Sequence, residues 1–208
     1  MNKKLLFVLL AFFIPIEIFA QWKVGVGCGP SLNFYDCQQQ EWEYQNSSWG
    51  VALGGFGQYN FKDYIGVRAE INWVQKNNYK SFYNHDTGYK TINNYFQVPI
   101  MATGSIKLGK LDLFLNAGVY GAYWLSSSVS SDMDIRENTL VDSDYDNRFD
   151  FGLAGGAGIG FQINEHIALQ LEARCCYSTV STKKAVNGIK NPRYNTTWTF
   201  QPSICYSF

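Results

Sequence analysis

The chain has 208 residues, 17 basic against 17 acidic side chains and two histidines; hydrophobic residues make up 46% and charged ones 16%. That balance leaves no basic surplus for nucleic acid, and the length suits a single domain. Aromatic residues at 17% and 19 glycines favour strands and turns over helical bundles.

In chain order, Lys3 and Lys4 precede an apolar run from Leu5 to Ile16, and a small residue, Ala20, follows Ile18-Phe19. This pattern predicts a secretory signal peptide over residues 1–20, cleaved to leave Gln21 first. The rival reading is an uncleaved membrane anchor. Pro15 and Glu17 interrupt the run before the roughly 20 residues that a spanning helix needs. Cysteine is absent from the cleavage point, which argues against a lipid-anchored lipoprotein. Residues 21–208 then read as one exported domain, near neutral once Lys3, Lys4 and Glu17 are removed.

Trp22 to Phe34 alternates, with Trp22, Val24, Val26, Cys28, Leu32 and Phe34 on one face. Such a period of two marks a β-strand with two unlike faces. A polar stretch, Asp36 to Ser48, precedes a second strand, Trp49 to Phe61. Lys62-Asp63 turns it into a third, in which Ile65, Val67, Ala69, Ile71 and Trp73 face opposite Arg68, Glu70 and Asn72. Val74 to Asn94 reads as a long polar loop. The fourth strand carries Phe96, Val98, Ile100, Ala102 and Ile106, and a turn at Lys107 to Lys110 leads to the fifth, Leu111 to Tyr123. An acidic, Ser-rich loop spans Ser126 to Asn147. The sixth strand, Phe149 to Phe161, turns at Asn164 to His166 into the seventh, Ile167 to Tyr177. A basic loop, Thr179 to Tyr194, leads to the last strand. There Trp198, Phe200, Ile204, Tyr206 and the terminal Phe208 alternate with Thr197, Thr199, Gln201, Ser203 and Ser207.

Eight strands joined alternately by long and short connections predict an antiparallel up-and-down transmembrane β-barrel. Short turns would lie in the periplasm together with both chain ends, and long loops outside the cell. Two further patterns agree. The apolar faces carry no Asp, Glu, Lys or Arg; the opposite faces carry Lys23, Arg68, Glu70, Asp112, Arg148, Asp150, Glu172 and Arg174. A charge facing lipid at mid-depth costs about 2–4 kcal/mol, so segregation is what hydrocarbon demands. The pairs Trp22/Phe34, Trp49/Phe61 and Phe149/Phe161 are each twelve residues apart. On tilted strands that spacing rises about 28 Å, close to the band between two aromatic girdles. A lipocalin-type soluble cup, with its faces exchanged, is the competing fold.

On the signal peptide, the eight-strand pattern, Tyr95-Phe96-Gln97-Val98-Pro99-Ile100, the Gly-rich sixth strand and Phe208, residues 21–208 resemble the porin-family or PorT-like outer-membrane barrels. More broadly they resemble barrels of the OmpA/OmpX type. The resemblance implies an outer-membrane location, delivery by periplasmic chaperones and insertion by the barrel assembly machinery, which reads the last strand. Trp198, Phe200, Ile204, Tyr206 and Phe208 are then the assembly signal. It brings no catalytic motif and no cofactor.

The inward charges are expected to form a lumen network, since buried ions must pair and eight strands leave room only for side chains. Gly50, Gly54, Gly66, Gly118, Gly152, Gly156, Gly158 and Gly160 are expected to make that room. Pro30, Pro99 and Pro202 each remove a ladder donor, which predicts bulges or strand ends there. The Cys residues 28, 37, 175, 176 and 205 form no disulfide framework. His85, beside Asp86 and near Ser81, is the one candidate for a lipid-modifying rim enzyme, and solvation in a loop is its ordinary reading. Asp142, Asp144 and Asp146 alternate like the start of a calcium loop, but its Gly and Glu are missing.

The loops carry aromatic residues among polar ones, notably Trp42, Tyr44, Tyr83, Tyr89 and Tyr145, which suit contact with a surface ligand or protein partner. Lys183, Lys184, Lys190 and Arg193 suit lipopolysaccharide phosphates. The expected role is a filled barrel with a structural or recognition task, without enzymatic activity and without cofactor or metal. A small-solute channel is the alternative.

Overall fold

The computed structural model of the chain describes residues 22–37, 43–82, 88–131, 136–137, 146–184 and 193–208. The signal-peptide expectation at residues 1–20 lies outside them. Ten strands appear in order: β1 (Trp22–Cys37), β2 (Glu43–Lys62), β3 (Ile65–Gln75), β4 (Asn78–Phe82), β5 (Gly88–Leu108), β6 (Leu111–Ser131), β7 (Arg136–Glu137), β8 (Phe149–Gln162), β9 (Ile167–Ser178) and β10 (Arg193–Ser207). All pair antiparallel, and β1 pairs with both β2 and β10, so the sheet closes on itself. β3 and β4 are one pass broken at Lys76-Asn77, and β7 is a short addition to β6. The wall therefore has eight passes, an up-and-down barrel without helices among the described residues.

Register fixes its dimensions. From Asp150 the paired inward positions run through Ala122, Gln97, Asn72, Gly54, Gly27, Ser203 and Gln170, and return to β8 at Gly160. That offset of ten residues over eight strands gives a tilt of about 41° and a backbone radius of about 8 Å. Side chains from opposite walls meet across such a lumen.

The faces divide as hydrocarbon requires. Val24, Leu115 and Ile159 are 41%, 66% and 51% exposed, whereas Arg68 and Glu172 are 3% and 2%. Exposed aromatics ring both ends: Trp22, Phe61, Tyr64, Phe161, Tyr206 and Phe208 below, Phe34, Trp49, Phe96, Phe149 and Trp198 above.

Three details differ from expectation. The strands run well past the upper ring, and β2, β4, β5 and β6 occupy much of the expected loops at Asp36–Ser48, Val74–Asn94 and Ser126–Asn147. Outside the hydrocarbon both faces of a ladder are wet, so backbone pairing continues without any apolar period to betray it. A bulge at Leu125, between Tyr95↔Trp124 and Asn94↔Ser126, marks the change.

The prolines sit at neither bulges nor strand ends. The β1–β10 ladder skips Cys28 to Pro30 against Phe200 to Pro202, then resumes in the same register. Pro30 and Pro202 thus share one interruption, bridged in part by Gln201 Nε2 donating to the Gly27 carbonyl (3.3 Å). At Pro99 the β3–β5 ladder skips likewise from Ala69↔Ile100 to Asn72↔Gln97. One short turn is also tighter: β5 meets β6 through Gly109-Lys110, where Gly109 takes φ +65°, a conformation that favours glycine.

Candidate functional site

The inward-facing positions of β3 and β9 bring four ions together across the lumen. Arg68 and Glu70 are two residues apart on β3, as are Glu172 and Arg174 on β9, so each pair projects to the same side. Arg174 donates to Glu70 through Nη1 (2.5 Å) and Nη2 (2.7 Å), and to Glu172 through Nε (2.9 Å) and Nη2 (2.7 Å). Arg68 Nε donates to Glu70 Oε1 (2.6 Å), and its Nη2 lies 3.5 Å from Glu172. Two guanidinium groups thus neutralise two carboxylates. Asn72 and Asn116 add a second donor to Glu70 Oε2 (2.8 Å) and Glu172 Oε1 (3.0 Å), and the Phe56 ring lies 3.6 Å beneath Arg68. Glycine makes the space: a Cβ on Gly156 would stand 2.6 Å from Glu172 Oε1, and one on Gly158 would overlap the Phe114 ring.

A second tier lies towards the long loops. Lys76, in the break between β3 and β4, is fully buried and places Nζ 2.6 Å from Asp150 Oδ2. Ser178 Oγ (2.6 Å) and Tyr120 Oη (3.1 Å) donate to Asp150 Oδ1, and Asn195 Nδ2 donates to Oδ2 (3.4 Å). Tyr95 stacks on Trp124 with centroids 5.7 Å apart. Tyr35 donates to the Lys76 carbonyl (3.1 Å) and accepts from Asn93, while the Arg193 guanidinium lies 4.2 Å from the Tyr35 ring. At the other mouth, Lys23 and Asp112 stand 3.8 Å apart.

Of the eight inward charges read from sequence, Arg68, Glu70, Glu172 and Arg174 share one cluster, Lys23 meets Asp112, and Asp150 belongs to the upper tier. Arg148 precedes β8 and is half-buried. Lys76 was missed because it fell in an expected loop; its even position, in phase with Arg68, Glu70 and Asn72, was the available signal.

Trp198, Phe200, Ile204, Tyr206 and Phe208 all face outward on or beside β10. Tyr89 pairs with Ser131 across β5–β6, and Tyr44 lies on β2 opposite Ser81. Trp42, Tyr83, Tyr145, His85, Asp86, Asp142, Asp144 and Lys190 lie outside the described residues. Asp146 is bound to Lys183 Nζ (2.7 Å), and Arg193 donates to Thr182 (3.3 Å). Two of the expected phosphate partners therefore face internal groups. His166 sits in the β8–β9 turn against Tyr206, its Nδ1 3.0 Å from the Ser207 carbonyl. Cys28 and Cys175 face outward, Cys176 and Cys205 are buried, and all four are free thiols.

The family model for the outer membrane protein beta-barrel domain matches residues 19–183. Curated protein sequences yield no match. Among solved structures, the outer membrane protein OprG of Pseudomonas aeruginosa is 15% identical with a TM-score of 0.54, over 90% of this chain and 95% of that one. Neisserial surface protein A is 13% identical with a TM-score of 0.50, over 91% and 99%. The outer membrane protease OmpT of Escherichia coli is 8% identical with a TM-score of 0.52, over 92% and 98%. At these identities the likeness is one of fold.

Proposed function

Since this chain belongs to the family of outer-membrane β-barrel domains, and so resides in the cell outer membrane, we propose that it is a side-chain-filled, non-enzymatic barrel. Its task on this reading is structural or one of surface recognition, exercised through the extracellular loops. The observation that carries the proposal is the pair of ionic tiers, Arg68/Glu70/Glu172/Arg174 and Lys76/Asp150, spanning the lumen at two levels. A barrel of this radius has no second path around them.

Recognition is supported by the wall of β2, β4, β5 and β6 above the upper ring. It bears Asn94, Ser126, Ser127 and Ser128, hydroxyl and amide groups suited to polar partners. Outer-membrane lipid and lipopolysaccharide surround this wall on the same reading, and the barrel assembly machinery reads β10. Residues 1–20 leave as a signal peptide, so the mature protein should begin at Gln21 by intact mass.

Planar-bilayer recording of the purified protein tests the closed lumen. A flat trace is expected. Step-like single-channel currents would overturn the proposal in favour of a small-solute channel.

A further inference from the structure

The upper tier holds something that the lower one lacks: one ammonium group clasped by one carboxylate and two aromatic faces. Lys76 Nζ lies 2.6 Å from Asp150 Oδ2, 4.8 Å from the centroid of Tyr95 and 4.9 Å from that of Tyr120. Rings around a cation are how proteins recognise ammonium ligands. The carboxylate does not depend on Lys76 for its orientation, because Ser178, Tyr120 and Asn195 hold it from other sides.

Two neighbouring polar atoms, Tyr95 Oη and Asn195 Oδ1, are buried without a hydrogen-bond partner. Their residues are wholly shielded from solvent and lie beside one another, and among the described residues neither atom bonds to Lys76. Buried polar atoms in native proteins nearly always find partners. Lys76 itself stands at the two-residue break between β3 and β4, fixed by its backbone: its N–H donates to the Asn93 carbonyl (2.8 Å). Its backbone is therefore an anchor and its side chain the occupant.

We propose that Asp150, Tyr95 and Tyr120 form a cation-binding cage, that Lys76 occupies it as a tethered ligand, and that once the Lys76 side chain is removed primary alkylammonium ions are the class of free ligand it takes. The proposal goes beyond the closed-barrel reading and does not rest on it, since a conducting barrel would contain the same cage.

The test removes the tether. The full-length barrel carrying Lys76→Ala is refolded from urea into detergent micelles with n-butylammonium present, so that the cage closes around the probe. Heat-modifiable gel mobility then reports the melting temperature. A saturable rise with n-butylammonium is expected for Lys76→Ala. The wild type, whose cage is filled, should show none. Lys76→Met, which fills the space without charge, and Lys76→Ala/Asp150→Asn, which lacks the carboxylate, should show none either. Uncharged n-butanol should leave Lys76→Ala unchanged. Should Lys76→Ala fail to fold alone, recovery of the folded band with n-butylammonium becomes the readout. No rise or recovery, or an equal response to butanol or in the Asp150→Asn background, would overturn the cage.

Discussion

Arg174→Met is the sharpest test of the lumen. Arg174 supplies four of the hydrogen bonds in the lower tier, two to each carboxylate, at 2.5–2.9 Å. Without it, Glu70 and Glu172 share Arg68 alone, which lies 2.6 Å from the first and 3.5 Å from the second. The tier then holds one net negative charge among side chains at most 3% exposed. Removing one partner from a buried ion pair costs about 3–5 kcal/mol, and the loss here should fall in that range. Lys107→Met is the control. Lys107 stands 4.0 Å from Asp63 in an exposed pair at the periplasmic turns, where a loss of about 0–1 kcal/mol is expected.

Urea unfolding in lipid vesicles, followed by tryptophan fluorescence, gives both values as shifts in midpoint at constant slope. A double substitution sharpens the result. Glu70→Gln in the Arg174→Met background leaves Arg68 against Glu172 and restores neutrality, so the double variant should be more stable than Arg174→Met alone. Contacting charges of this kind couple by about 0.5–3 kcal/mol. An Arg174→Met barrel as stable as Lys107→Met, or a double variant weaker than either single one, would refute the account of a neutral, closed tier.

The wall makes its own predictions. Gly118→Ala places a Cβ 2.7 Å from Met101 Cα, in backbone that cannot retreat, and should cost about 1–3 kcal/mol in the same unfolding assay. Gly57→Ala meets nothing within 4 Å and should change stability by less than about 0.5 kcal/mol. Leu115→Arg, on the exposed membrane face, should cost about 2–4 kcal/mol in vesicles, whereas Ser128→Arg beyond the β6 bulge should cost close to nothing. Deleting Phe208 should lower the yield of assembled barrel in outer-membrane fractions while leaving refolding of the purified chain in vesicles unchanged; equal yields would remove the last residue from the assembly signal.

The eight wall passes and their two faces were legible because hydrocarbon writes them into every second residue. Val24, Leu115 and Ile159 must face it and Arg68 and Glu172 must not, so alternation alone separates lipid from lumen over about 25 Å. Outside that band the constraint lapses. Tyr79 against Lys90, or Asn94 against Ser126, pair as regularly as any residues in the wall, yet no apolar period announces them. The prolines misled for a different reason. A missing donor looks like a break when each strand is read singly, but Pro30 and Pro202 fall within the same three-residue gap across one seam. Only the register between the first and last strands, separated by nearly the whole chain, shows that a single interruption accommodates both.

Lys76 marks the boundary between these regimes. It keeps the inward phase of Arg68, Glu70, Asn72 and Val74, but its neighbours Gln75 and Asn77 are polar, so the outward signal ends one step too soon. Inward phase is geometric and outlasts the membrane; apolarity is solvational and stops with it. A cation in phase with the lumen, just past the last aromatic residue facing outward on its strand, is therefore better assigned to the interior than to a loop. On β8 plain alternation already places Asp150 inside, opposite in sign and one step below the upper ring at Phe149. The two charges of the upper tier can then be paired before any distance is known; Lys76 Nζ and Asp150 Oδ2, at 2.6 Å, are where that reasoning leads.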